Sequence, residues 1–192
     1  MITIKFCQHC GAKTEQKIPK NDDHIRAICT QCKAIHYQNP KIITGVIIEN
    51  HGQILLAKRA IEPRHGTWTI PAGFMELGET TQAGAARECY EETKAKLKNM
   101  ALFGVYNIID SSQVYTIFRA QLDGQHFAPT IESLDVKLFT PQDIPWNEIS
   151  FPCVTRALKR YVLEMKNSFS VQLEDIHESF KGARSNGYFD HE

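Results

Sequence analysis

Residues Gly73–Ala95 read GFMELGETTQAGAARECYEETKA. The stretch sets Glu79, Glu88, Glu91 and Glu92 behind a glycine-containing turn, and its pattern predicts a helix over Thr81–Lys96 that Thr80 or Thr81 can cap. Glu88 and Glu92 are four residues apart and share one helical face, with Glu91 three from Glu88. Like charges at that spacing weaken an isolated helix, and a divalent cation reverses the sign of the interaction. All-oxygen ligation suits Mg²⁺ or Mn²⁺, which keep several waters and bind substrate phosphates. Arg87 is expected to point away from Glu88, and Glu79, just before the helix, is placed to pair with Arg87 and fix the loop. Ala83, Ala86, Cys89 and Thr93 make a small-residue face for packing on a sheet. Gly84 costs about 1 kcal/mol in a helix relative to Ala, which close approach of another backbone would explain. A solvated acidic face is the alternative reading of the same carboxylates.

Upstream, Lys41–Glu49 is an Ile- and Val-rich strand, Asn50-His51-Gly52 a hairpin turn and Gln53–Arg59 its return strand. A loop over Ala60–Thr67 leads to the short strand Trp68-Thr69-Ile70, which Pro71 ends, and Gly73–Gly78 reads as a loop. Downstream, strands fit Ala101–Ile109, Gln113–Leu122 and Asp135–Phe139. Ser150–Lys166 is an amphipathic helix, with Val154, Ala157, Leu158, Tyr161, Val162 and Met165 at three- and four-residue spacing. From Asn167 periodicity is lost, and residues 167–192 are expected to be a poorly ordered tail or one that docks on a partner subunit. This order predicts an α+β fold: a mixed sheet with helices on both faces.

The N-terminal 37 residues form a separate cysteine lobe. Cys7, Cys10, Cys29 and Cys32 make two C-x2-C pairs with 18 residues between them, a spacing that lets four thiolates collect one tetrahedral zinc. Two disulfides are the alternative, which a reducing compartment disfavours. A zinc held this way is structural and stabilises a lobe too small to build its own core. His9, His24 and His36 lie nearby, but four cysteines already complete the site. Cys89 and Cys153 stand apart and read as core thiols.

The 192-residue chain carries 22 Lys plus Arg and 22 Asp plus Glu, so its formal net charge is zero. That balance argues against a broadly basic nucleic-acid surface. The longest apolar run, Ile42–Ile48, is interrupted by Thr44 and Gly45 and is too short for a bilayer. MITIKFCQHC shows no secretory h-region, so a cytoplasmic protein is expected.

Gly73, five residues, Glu79, seven residues, then Arg87-Glu88-Cys89-Tyr90-Glu91-Glu92 resembles the Nudix box of the pyrophosphohydrolases. Lys94 stands where that signature has glycine, which puts the local helix-to-strand turn in question. Trp68-Thr69-Ile70-Pro71-Ala72-Gly73 is similar to the Nudix lead-in, with Ala72 where a second glycine is usual. The resemblance implies the Nudix α/β/α sandwich over about residues 39–165, within a domain spanning 38–166. It also implies that Glu88, Glu91 and Glu92 are metal ligands, Glu91 being ligand or base, and that Glu79 fixes its loop through Arg87. The segment Ile131–Phe139 resembles the glutamate-bearing loop and strand of the NADH pyrophosphatase branch. Glu132 is thereby implied as the acid across the cleft, with Asp135 close by.

A zinc ribbon fused to such a domain resembles NADH pyrophosphatases, but their serine-glutamine-proline-tryptophan-proline-phenylalanine run is absent. His36-Tyr37-Gln38-Asn39-Pro40-Lys41, the run Arg59–Trp68, Asp143-Ile144-Pro145-Trp146 and Phe151-Pro152 are more similar to a shorter zinc-ribbon group related to chloroplast FAD and ADP-ribose pyrophosphatases. That resemblance implies hydrolysis of FAD or ADP-ribose with release of AMP. NADH or the nucleotide cap of an RNA is the alternative substrate, and a non-enzymatic binding or regulatory module the alternative class. It also implies a homodimer, since the ribbon needs a surface to pack on. For substrate, Arg59 and Arg64 can meet phosphate. Phe74, Tyr106 and Tyr115 can stack on a base or flavin, and Asn107 and Gln113 can bond a base edge.

Overall fold

The computed structural model describes residues 3–165 and 169–177, and the chain divides into two units, Met1–Asn39 and Pro40–Glu192. In the first, β1 (Thr14–Lys17), β2 (Arg26–Cys29) and β3 (Ile35–His36) form a three-stranded antiparallel sheet. One face of it buries Ala27, Cys29 and His36.

The second unit is built on β4 (Lys41–Asn50), β5 (Gln53–Arg59), β6 (Trp68–Thr69), β7 (Ala72–Phe74), β8 (Lys96–Ile108), β9 (Gln113–Asp123), β10 (Ser133–Phe139) and β11 (Gln172–Ile176). Helix α1 (Thr81–Thr93) lies between β7 and β8, and α2 (Pro152–Glu164) follows β10. The sheet runs β10-β5-β4-β9-β8-β11, with β6 on β5 and β7 on β4. It is mixed, because β4 pairs β9 and β8 pairs β11 in parallel while the other pairs are antiparallel. The β4–β5 hairpin closes with Asn50 opposite Gln53, and its two turn residues, His51 (φ 50°) and Gly52 (φ 82°), are both left-handed. That backbone matches the twist of paired strands.

Period-two alternation divides the core between the two faces. Ile43 and Ile47 of β4, Ile54 and Leu56 of β5 and Ile117 of β9 join the cluster under α2, with Val154, Ala157, Leu158 and Tyr161. Val46, Ile48, Leu55, Phe118 and Ala120 face the other way and pack on Ala85 and Cys89 of α1. Each fully buried aliphatic side chain contributes roughly 1.5–3 kcal/mol. The result is an α+β sandwich with one helix on each face of the sheet, as the resemblance implies. Among the described residues no helix is long and apolar enough to cross a membrane.

Several boundaries differ from the sequence expectations. Helix α1 stops at Thr93, because Lys94 turns left-handed (φ 57°) and its N–H bonds the Tyr90 carbonyl at 2.9 Å. Strand β8 therefore starts at Lys96 rather than Ala101, and β7 occupies the start of the expected 73–78 loop. The buried face of α1 is Gly84, Ala85, Glu88, Cys89, Glu92 and Thr93, so Ala83 is exposed and the carboxylates themselves face inward. Residues 172–176 of the expected tail form β11, which pairs β8 of the same sheet. Ile176 is buried there, and Phe169 stacks on Tyr161 with ring centroids 5.0 Å apart. Residues 166–168 and the tail beyond His177 lie outside the described residues.

Candidate active site

Thr80 caps α1, its side chain accepting the Ala83 N–H at 3.1 Å. The preceding loop is pinned by Glu79, whose carboxylate takes Arg87 Nε at 3.1 Å, Arg87 Nη2 at 2.8 Å and the Glu76 N–H at 2.7 Å. Arg87 does not point away from Glu88: Nη1 donates to Glu88 and to Glu91 at 2.8 Å each, and Nη2 reaches the Phe74 carbonyl at 3.1 Å. One guanidinium thus ties three carboxylates and the end of β7 together, because its planar fork has donors on several sides. The Arg87 hydrogen bonds and the Glu76 amide hold the Glu79 carboxyl below its ordinary range.

Two glycines make room for this arrangement. A Cβ on Gly73 would meet the Glu88 carboxyl group at 2.3 Å, so β7 approaches the helix only without a side chain there. At Gly84 the close neighbours are side chains rather than another backbone: Glu79 Oε1 at 2.6 Å and the Thr44 methyl at 2.8 Å from the same construction.

Glu88 and Glu92 are 9% and 4% exposed. Burial, with Glu88 nearby, pushes the Glu92 carboxyl up to about 8, against the pull of Arg59 and the Ala72 N–H, which reaches Glu92 at 3.3 Å. Burial also raises Glu88, opposed by Arg87 and reinforced by Glu91 and Glu132. Glu132 therefore lies within the field of both buried acids, although it comes from the loop between β9 and β10. Its loop is fastened there by the Thr130 hydroxyl, which donates to the Glu92 carbonyl at 3.4 Å, and by the Ala60 N–H, which donates to the Glu132 carbonyl at 2.9 Å. Asp135 turns its carboxylate onto the Val136 N–H at 2.8 Å instead. Buried acids that raise one another need protons or a cation. Carboxylate oxygens are the donor type that a hard divalent cation such as Mg²⁺ takes.

The substrate candidates separate by burial. Phe74 is half exposed, with Lys41 Nζ 5.1 Å from its ring centre. Tyr106 and Tyr115 are 1% and 8% exposed within the cluster under α2, which leaves no open ring face for a ligand to stack on. Asn107 is engaged by Asp175 of β11 at 2.8 Å, and Gln113 by the Ser111 hydroxyl at 3.3 Å. Arg64 lies in the loop between β5 and β6, where its carbonyl accepts the Thr67 hydroxyl at 2.6 Å. Arg59 ends β5, its guanidinium 5.3 Å from the Phe151 ring centre. Sequence reasoning attached no role to Lys41 or to Phe151, since nothing local in the chain shows which ring a cation will meet.

In the first unit the Sγ atoms of Cys7, Cys10, Cys29 and Cys32 all lie within 4.8 Å of one another. The Cys7–Cys32 and Cys10–Cys29 separations, 3.6 and 3.5 Å, are far beyond a disulfide bond. They are close to the edge of a tetrahedron with Zn–S bonds of about 2.3 Å. Backbone amides support the sulfurs, with His9 N–H on Cys7 at 3.4 Å and the Gln31 and Cys32 N–H groups on Cys29 at 3.4 and 3.3 Å. The cluster fits a structural zinc.

The NUDIX domain family matches residues 39–157, and the Nudix N-terminal zinc-ribbon family matches residues 5–38. The NAD-capped RNA hydrolase NudC of Vibrio parahaemolyticus is 34% identical over 148 residues, covering 74% of this chain and 54% of that protein. NudC of Haemophilus influenzae is 40% identical over 106 residues, covering 53% of this chain and 38% of that protein. The chain thus spans about half or less of the length of these curated relatives. A crystal structure of a NUDIX hydrolase from Nitrosomonas europaea superposes with a TM-score of 0.84 at 46% identity, covering 90% of this chain and all of that one. An ADP-ribose pyrophosphatase from Streptococcus suis, 18% identical with a TM-score of 0.59 over 70% of this chain and 99% of its own, shares the fold. The spacing of the acids, the sandwich that presents them and these matches agree: the chain belongs to the Nudix hydrolase family and carries that family's zinc ribbon ahead of the hydrolase fold.

Proposed function

We propose that the protein hydrolyses the pyrophosphate bond of an adenine dinucleotide or related nucleoside diphosphate derivative, FAD or ADP-ribose foremost, and releases AMP. The observation that carries this reading is the inward-facing pair Glu88 and Glu92, seated against Gly73 and the Ala72 N–H and faced by Glu132. Glu88, Glu91, Glu92 and Glu132 would hold Mg²⁺ or Mn²⁺. Such a metal supplies charge that neutralises phosphate oxygens and makes water acidic enough to attack.

The chain's own residues position and deprotonate. Arg87 holds Glu88 and Glu91 in place and ties the Glu79 loop to the helix. Glu91 or Glu132 accepts the proton of the attacking water. The water oxygen bonds to one phosphorus, the bridging P–O bond breaks, and the departing phosphate keeps the electron pair. FAD then yields AMP and FMN, and ADP-ribose yields AMP and ribose 5-phosphate. The half-exposed Phe74 ring offers a face to base or flavin, and Arg64 a phosphate contact from its loop. A homodimer belongs to the same reading.

A second reading, NADH or the NAD cap of an RNA as substrate, is favoured by the similarity to the NAD-capped RNA hydrolases NudC. The test is a panel of FAD, ADP-ribose, NADH, NAD⁺ and NAD-capped RNA, with Mg²⁺ and Mn²⁺ in turn, comparing kcat/KM. Highest efficiency on FAD or ADP-ribose supports the first reading, and highest efficiency on capped RNA or NADH the second. Glu88→Gln is expected to lower kcat by at least about 100-fold through loss of metal-assisted charge stabilisation. Unchanged turnover in that variant sinks the site assignment.

A further inference from the structure

Arg59 and Phe151 are far apart in sequence and are brought together by one residue, Trp68. Strand β6 pairs β5 with Trp68 opposite Lys58, and the Arg59 N–H bonds the Thr67 carbonyl at 2.9 Å. On its other side Trp68 bridges Ile149, and its carbonyl accepts both the N–H and the hydroxyl of Ser150, at 2.9 and 3.0 Å. Phe151 follows with extended backbone (φ −129°, ψ 138°), as a residue before proline prefers, and Pro152 starts α2. The ring is thereby set under the guanidinium.

The rest of Arg59 is also constrained. Its Nε donates to the Pro63 carbonyl at 2.9 Å. Among the described residues its two Nη groups carry no hydrogen bond. Arg59 pairs with Ser133 across β5 and β10, so its backbone lies next to that of Glu132, whose carbonyl accepts the Ala60 N–H at 2.9 Å. The Arg59 charge also lies within electrostatic range of Glu92. A guanidinium fixed by one face and by Nε, with both Nη groups unspent beside a carboxylate cluster, is preorganised for phosphate.

We propose that Phe151 is a positioning residue for Arg59: its ring holds the guanidinium so that the Nη groups receive the oxygens of a pyrophosphate bound at the carboxylates, an inference that rests on the pyrophosphohydrolase reading above. Wild type, Arg59→Ala, Arg59→Lys, Phe151→Leu and the Arg59→Ala/Phe151→Leu double variant test it. Two quantities are measured: Mg²⁺-dependent binding of inorganic pyrophosphate by calorimetry, and kcat and KM on whichever dinucleotide of the panel wild type hydrolyses. Arg59→Ala is expected to weaken pyrophosphate binding about 10- to 100-fold, as loss of a charge-assisted hydrogen bond does. Arg59→Lys keeps the charge without the fork and stays weakened. Phe151→Leu is expected to cost about 2- to 5-fold, the size of an exposed cation–π contact. In the Arg59→Ala background Phe151→Leu should cost nothing further. Equal losses in both backgrounds show a merely structural Phe151 and overturn the inference, as does pyrophosphate binding unchanged by Arg59→Ala. A wild type that binds pyrophosphate through Arg59 yet hydrolyses no dinucleotide supports the pair and overturns the proposed function instead.

Discussion

Lys94 occupies a backbone position that glycine takes without strain, and a left-handed lysine costs about 1 kcal/mol. The turn forms regardless, since the N–H of Lys94 closes α1 and its ammonium sits 4.8 Å from the centre of the Tyr90 ring. Lys94→Gly is expected to raise stability by about 0.5–1 kcal/mol, read as a higher urea midpoint at unchanged m-value. Glu92 gives a pH signature. Burial and the neighbouring Glu88 raise its carboxyl from an ordinary value of 4.5 to about 8. The folded state therefore resists ionisation that the unfolded chain allows, and the cost is absent below pH 4.5 and complete above pH 8. Without added divalent cations, the thermal midpoint should fall as pH rises from 5 to 8. Glu92→Gln should flatten that slope, and Mg²⁺ should do so in wild type. A slope that Glu92→Gln leaves intact assigns it to another group. The carboxylates and their spacing were legible in the chain, but the raised pKa was not, because it depends on what covers them.

Strand β11 shows what periodicity misses at the scale of elements. Five residues with charges at Glu174 and Asp175 carry no period-two apolar pattern. Their place is set by distant partners: Arg156 paired with Glu174, Asn107 bonded to Asp175, and Ile176 buried at 2% exposure. Ile176→Ala is expected to cost about 2–4 kcal/mol. The amides of Gly104–Ile108, the partners of β11 on β8, should then exchange faster. Protection unchanged at those amides would show that β11 does not hold that edge. The β4–β5 hairpin is the opposite case: Asn50-His51-Gly52 and the flanking apolar strands specified it locally. Helix α1 lies between the two. Its existence was readable, but which face it buries was not, because packing chose the face that carries Glu88 and Glu92 over the one with Ala83.

The chain's two units hold together by different means. The unit from Pro40 has two apolar clusters, one on each face of its sheet, whereas Met1–Asn39 has a short sheet around four thiols. Cys29→Ser is expected to abolish zinc binding and unfold the lobe, since such small domains draw their folding energy from the metal. In an NMR spectrum of that variant, amides of residues 5–38 should collapse toward random-coil shifts while those of the larger unit persist. Dispersed lobe signals in a zinc-free variant would show a core that does not need the metal. The sequence by itself determined the four-cysteine cluster of the zinc ribbon, the carboxylates, the family and the alternation of strands and helices, because each is written in spacing along the chain. Only the tertiary structure decided that Arg87 joins three acids, that Tyr106 and Tyr115 are core, that β11 closes on its own sheet and that Phe151 meets Arg59. Each of these rests on contacts between segments remote in sequence, where burial and a shared neighbour such as Trp68, rather than local pattern, select the partner.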